Sequence, residues 1–410
     1  MVRVAIAFVF ALMLSATAWA GNWNNGGKAK TFGNRDSCIV EGQRAKPTLE
    51  QLKASFIYCQ QFYFSRNGRL SVAAAKNPRK LSFDVQTDEF VNRQMNTTGM
   101  LSYILYKDGK IIKDVKSPQE RLGKLFNDET RYQSNSIGKS FTSYLLGHAI
   151  CDGHISSLDQ TIEDWPLLQN TPYEKQRLID LVNMNVGDSM YFNSQRVLFE
   201  NQWNIKGVNH ETIRYWGDSL RGKTAPKERK FNYSQMVSGL MTNYIAFKMN
   251  GHFDDLLRDV YTNKVGIGSK LQVGYVDKYA KLGDGRFSNS VWATRYDYLR
   301  IAIAMLEDWR SDTCVGKYLK RLYRSRVNGN FGEKNGHGLF RRHHRYGKHY
   351  KYGGFFHTDI SDVKGTVFGM AGYGGQYLFI NFDSGTIVAI NAVHDDFDTA
   401  KLVVDAINGN

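Results

Sequence analysis

The spacing of apolar residues changes period along this chain, and the changes mark its elements. Met100 to Tyr106 and Lys110 to Val115 are apolar-rich runs around Lys107-Asp108-Gly109, and Asp-Gly between two such runs predicts a β-hairpin. From Ile137 the period becomes helical, with Phe141, Tyr144, Leu145 and Ala149 on one side. Asp152-Gly153 ends that helix, glycine being favoured just past a helix C-terminus. Residues 160–285 carry mostly helical and loop patterns, including Arg177 to Asn185 and Met236 to Met249, and are expected to form a helical insertion. Strand patterns return at Gln376 to Phe382 and Thr386 to Val393, flanking Asp383-Ser384-Gly385, before a last helix from about Phe397 to Ile407. Strands at both ends of a helical middle predict an α+β protein with one antiparallel sheet assembled from distant segments.

Upstream of the hairpin the pattern says less. Leu49, Leu52, Phe56 and Cys59 place a helix within residues 47–64, and residues 21–45, rich in Gly, Asn and Lys, form a loose leader. Residues 21–95 are taken together as an N-terminal extension. The first twenty residues carry Arg3, an apolar run and Ala18-Trp19-Ala20, whose small first and third residues fit a signal-peptidase site. The run is short for a membrane span. The expectation is a signal peptide over 1–20, export to the periplasm or beyond, and no stable membrane insertion after cleavage.

The 410 residues suffice for one large domain or two lobes, and 42% hydrophobic with 23% charged residues excludes global disorder. The net charge of +15 is dispersed except for Arg341-Arg342-His343-His344-Arg345, continuing to Lys348 and Lys351. No nucleic-acid module accompanies that run, so no nucleic-acid partner is predicted. Cys38, Cys59, Cys151 and Cys314 permit three pairings in an exported chain, Cys38 with Cys59 being the nearest pair in sequence. Cys151 also reads as a plain buried thiol on an apolar helix face. No Cys/His spacing marks a metal site, and no cofactor is implied.

The chemistry centres on Ser136-Ile137-Gly138-Lys139. Residues three apart on a helix share a face, so a lysine amine there reaches the serine hydroxyl. A serine becomes a nucleophile when a neighbour removes its proton, and lysine does so once desolvation or a nearby cation lowers its pKa. The start of a helix also favours developing negative charge. A second S-x-x-K, Ser361 to Lys364, lies in a loop with no helix to align it. His148 is too far along the same helix to serve Ser136. His394-Asp395-Asp396 lacks the G-x-S-x-G elbow of a Ser-His-Asp hydrolase and is expected in a solvated loop. His343, His344, His349 and His357 are expected at the surface.

The run Ser134 to Ser143, with Leu145-Leu146-Gly147 and Asp152-Gly153, resembles the serine hydrolases related to class C β-lactamases, most closely the 6-aminohexanoate-dimer hydrolase and carboxylesterase branch. Lys107 to Ile111, Ser157-Leu158-Asp159-Gln160 and Leu181-Val182-Asn183-Met184 resemble further family segments in the family's order. The resemblance covers roughly residues 96–405. It implies the β-lactamase/D,D-peptidase-like fold, an antiparallel sheet flanked by helices plus a helical subdomain. It also implies a Tyr-x-Asn motif, matched at Tyr233-Ser234-Gln235, where Gln235 stands for the usual Asn. By resemblance Tyr233 shares proton transfer with Lys139. Gly372-Tyr373-Gly374-Gly375-Gln376 takes the place of the third motif, with Tyr373 and Gly374 at the oxyanion edge. The cation of the β-lactamase Lys-Thr-Gly is missing there, and neither K-T-G nor S-D-N occurs in the chain. The reading is hydrolysis of a small or peptide-like ester or amide through an acyl-enzyme on Ser136. The alternatives are a β-lactamase or D,D-peptidase of the same fold, or a non-catalytic acylated sensor.

Overall fold

The computed structural model describes residues 46–57, 68–188, 217–329 and 350–409, apart from 219, 226, 277 and 282. The leader with Cys38, the residue Cys59, the run 341–349 with its three histidines, and the side chain of Gln235 fall outside the described residues.

Thr48 opens helix α1 (Leu49–Ser55) through a capping box with Gln51. Then come β1 (Arg69–Val72), α2 (Glu89–Thr97) with Asp88 as its N-cap, and the hairpin of β2 (Met100–Lys107) and β3 (Lys110–Lys116). They are followed by β4 (Tyr132–Gln133) and α3 (Ile137–Cys151). The middle supplies α4 (Leu178–Val182), α5 (Gln235–Lys248), α6 (Phe253–Leu257), β5 (Leu271–Tyr275) and β6 (Phe287–Ala293). Next are α7 (Arg295–Arg310) and α8 (Cys314–Arg324). The C-terminal part holds β7 (Val327–Asn328), β8 (Lys351–Gly353), β9 (Phe356–Thr358), β10 (Val367–Gly372), β11 (Gln376–Asn381) and β12 (Ile387–Ala392). A wide helical turn over Ala400–Asp405 then leads into α9 (Ala406–Asn408).

Two antiparallel sheets organise these elements. The larger has the order β3-β2-β12-β11-β10-β9-β8-β7, so the N-terminal hairpin joins the C-terminal strands, with Ile104 opposite Ala389. The smaller has the order β1-β5-β6-β4. The distant-segment sheet is as predicted, and several details differ. Residues 160–285 include the strand β5, which the short Leu-Gln-Val-Gly-Tyr run hid among helical patterns. Within the described part of the extension, β1 pairs with β5, and Ser82 and Asp84 hydrogen-bond through their backbones to Ile111 on the edge of β3. The last helix begins later than expected, at Ala400.

Helix α3 runs through the centre of the molecule. Every residue from Ile137 to Ala149 is buried, so the helix is enclosed on all sides and carries polar side chains such as Lys139, Ser140 and Ser143 into the interior. Its first turn packs hard against β6: a Cβ on Gly138 would stand 1.8 Å from the Asn289 carbonyl oxygen. At its other end Cys151 is bonded to Cys314 at the start of α8, a pairing of residues 163 apart. Cys151 is therefore not the free thiol its helix position suggested. Its partner lies beyond several helices and the strands β5 and β6, which spacing in the sequence does not reveal.

Candidate active site

Ser136 is delivered by a short strand, a strained turn and a helix start. Ser134 bonds to Val291 of β6 in both directions: its amide donates to the Val291 carbonyl (2.7 Å) and its hydroxyl accepts from the Val291 amide (2.9 Å). The next residue, Asn135, has φ +47°, a left-handed conformation that Asn tolerates better than most residues. Ser136 is the N-cap of α3, but its hydroxyl makes no cap bond. Instead Lys139 Nζ lies 2.8 Å from Ser136 Oγ.

Lys139 is 1% exposed, and burial lowers its pKa from 10.5 to about 7. An amine titrating there holds a large neutral fraction near neutral pH, as a general base requires. The half-buried ring of Tyr233 stands over it, the ring centroid 4.9 Å from Nζ. Tyr233 precedes α5, and its ring meets Tyr352 of β8 edge-to-face at 5.9 Å. Tyr233, distant in sequence, is thus brought beside the Ser136–Lys139 pair through its contact with Lys139.

The turn between β10 and β11 closes another side. Gly372 pairs with Gln376 across it, and Gly374 and Gly375 both have positive φ. A Cβ on Gly372 would come 2.5 Å from the Ser134 carbonyl oxygen, so only glycine permits this approach. Asn135 Nδ2 donates to the Tyr373 carbonyl at 2.7 Å, joining this turn to the residue before Ser136. Tyr373 itself is 44% exposed. The turn is fastened from behind by buried amides: Gln376 Nε2 donates to the Ala392 carbonyl, Asn391 Nδ2 to Gln376 Oε1 (3.2 Å), and Ser102 Oγ to Asn391 Oδ1 (3.1 Å).

Two histidine expectations are corrected. His357 is buried, not at the surface, because β9 lies inside the larger sheet, with His357 opposite Gly369 of β10. Its ring meets Tyr352 edge-on at 5.2 Å, and burial first, then the charge of Lys139, push its pKa down to about 3. Spacing gave no hint of this neighbour of Lys139. His394 is also buried rather than solvated, since the segment after β12 folds back on β2, the Val393 amide donating to the Gly99 carbonyl (2.8 Å). Asp396 accepts from the Gly99 amide (2.7 Å), so this His-Asp pair belongs to the sheet end.

The remaining candidates lie elsewhere. His148 faces Lys264 at 3.3 Å near the far end of α3. Ser361 and Lys364 sit in an irregular loop, Lys364 exposed. Among the described residues, no group of three or more His, Cys, Asp or Glu is arranged to hold a metal ion, and no helix is long and apolar enough to cross a membrane.

Residues 88–406 match the β-lactamase family model. The chain belongs to the β-lactamase family. The membership makes it a serine hydrolase of that fold, and solved structures agree on the architecture. A candidate 6-aminohexanoate-dimer hydrolase from Bacillus anthracis superposes with a TM-score of 0.64 at 13% identity, over 89% of this chain and 96% of that one. A class C β-lactamase in complex with cefoxitin gives 0.52 at 12% identity, over 78% and 96%. A penicillin-binding protein homologue from Pyrococcus abyssi, octameric in its structure, gives 0.53 at 15%, over 78% and 75%. At such identities the likeness is one of fold. No curated protein matches the chain.

Proposed function

We propose that this family member is a carboxylesterase or amidase that forms an acyl-enzyme on Ser136. The observation that carries the reading is the 2.8 Å approach of Lys139 Nζ to Ser136 Oγ, with the amine held near pKa 7 by burial. In the proposed cycle, Ser136 Oγ attacks the substrate carbonyl carbon and its proton passes to neutral Lys139. The oxyanion is met by the amides of Ser136 and Tyr373 at the glycine-rich turn, beside Gly374. As the tetrahedral adduct collapses, the proton moves by way of Lys139 and Tyr233 to the departing alcohol or amine. Water then attacks the ester on Ser136, giving its proton to the same pair, and the serine is regenerated. Gln235 lines the site in this reading.

The missing third-motif cation favours a neutral ester or amide over a β-lactam carboxylate. The Cys151–Cys314 bond supports export to an oxidising compartment, and with it the signal peptide over 1–20. Mass spectrometry after a fluorophosphonate tests the nucleophile: the adduct should sit on Ser136 and disappear in Ser136→Ala. A folded protein without that adduct would end the enzyme reading. Parallel assays with p-nitrophenyl butyrate and a chromogenic cephalosporin test the substrate class. Faster turnover of the cephalosporin would move the assignment to a β-lactamase, and a stable adduct without turnover to a sensor.

A further inference from the structure

Behind Tyr233 lies a buried acid that the proposed cycle does not use. Asp188 is 1% exposed and is reached from both flanks of Tyr233. Asn232 Nδ2 donates to Asp188 Oδ1 at 2.7 Å, and the Ser234 side chain hydrogen-bonds to the same carboxyl. Tyr173 Oη donates to Oδ2 at 2.8 Å and holds the acid from the opposite side. The backbone repeats this grip: the Asn232 amide donates to the Met184 carbonyl (2.9 Å) and the Ser234 amide to Met184 Sδ (3.3 Å). Residues 184–188 therefore hold the residue before Tyr233 and the residue after it. A buried carboxyl with this set of donors is well satisfied, and losing it would leave Asn232, Ser234 and Tyr173 without their acceptor.

We infer that Asp188 is a positioning residue that sets the Tyr233 ring over Lys139 by clamping Asn232 and Ser234. The inference rests on the reading of Tyr233 as a proton-transfer group. A double-mutant cycle on p-nitrophenyl butyrate tests it, with folding checked by circular dichroism. Tyr233→Phe should lower kcat/KM by about a hundredfold or more, the usual worth of a proton-transfer group. Asp188→Ala should lower it about tenfold or more, chiefly in kcat, and should cost nothing further in the Tyr233→Phe background.

Asp188→Asn keeps an acceptor for Asn232 and offers a donor to the Tyr173 oxygen, so it should restore most of the activity. If Asp188→Ala does not fold, Asp188→Asn and Tyr173→Phe complete the cycle, each losing whatever effect it has when Tyr233 is Phe. An equal loss in both backgrounds, or wild-type turnover in Asp188→Ala, overturns the clamp while leaving the proposed function standing. Wild-type turnover in Tyr233→Phe, with Ser136 still labelled, refutes the role of Tyr233 itself and the clamp with it.

Discussion

Asn135 Nδ2 donates a 2.7 Å hydrogen bond to the carbonyl oxygen of Tyr373, tying the turn that presents Ser136 directly to the β10–β11 turn. The two halves of the proposed oxyanion site are thereby set at a fixed separation. Asn135 also carries the left-handed backbone that this approach needs. Asn135→Ala should lose both contributions and Asn135→Gly only the side-chain bond. Both should lower kcat for p-nitrophenyl butyrate, by roughly tenfold for the bond alone. The alanine variant should also be the less stable by about 1 kcal/mol, measured by urea denaturation. Equal stability of the two would contradict the strain argument.

Hydrolysis should rise with pH through about 7 and level off above it, because Lys139 acts as a base only when neutral. Lys139→Arg should be inactive at every pH, as a guanidinium does not release its proton in this range. A pH–rate profile of kcat/KM measures both, and an unchanged acid limb in the arginine variant would remove Lys139 from the mechanism.

The same burial has a cost in stability. Between about pH 7 and 10.5 the unfolded chain holds a lysine proton that the folded chain has released, so stability rises with pH across that window. Below it the cost of burying a charged amine is present in full. Lys139→Met should therefore be more stable than wild type at pH 6, by an amount on the order of a few kcal/mol, and the gap should close as pH approaches 10.5. Denaturation at several pH values provides the comparison. A pH-independent gap would refute it.

Gly138→Ala is expected to damage folding rather than chemistry. The added methyl would meet the Asn289 carbonyl at 1.8 Å, with backbone on both sides of the clash. A loss of about 3 kcal/mol or more is expected, read from the denaturation midpoint of purified protein. The glycine inside the S-x-x-K motif then has a packing role in this chain.

Reduction of Cys151–Cys314 should cost about 2–4 kcal/mol, visible as a fall of several degrees in melting temperature. The bond lies at the end of α3 away from Ser136, so initial rates at 25 °C should be little changed by Cys314→Ser. A variant that melts normally but loses turnover would point to a different coupling along the helix.

The parts of the site that were legible in the sequence are those held by local geometry. Ser136 and Lys139 lie one turn apart on one helix, and the glycines at 372–375 announce a turn wherever they occur. Tyr233 is named as a candidate through family resemblance, since nothing local separates it from the other tyrosines. In the sequence Asp188 is not singled out, His357 reads as a surface residue, and the Cys151–Cys314 pairing stays open among three, because each acquires its meaning from a partner far away in the chain. His357 looked like one more histidine beside a basic run until β9 was seen inside the sheet. The strand β5 was hidden because five residues of mixed polarity carry little periodic content.

The place of β2 between β3 and β12 has a consequence for the order of events on the ribosome. A strand made near residue 100 has to wait for its neighbour near residue 390 before the larger sheet can close. The turn bearing Tyr373 is fastened through Gln376 to Ala392 and reaches Asn135 only in that closed sheet. A nascent chain that already carries Ser136 and Lys139 therefore lacks the glycine-rich turn that stands beside them. That side of the candidate site forms only after the residues near 390 have been made, more than 250 positions beyond Ser136.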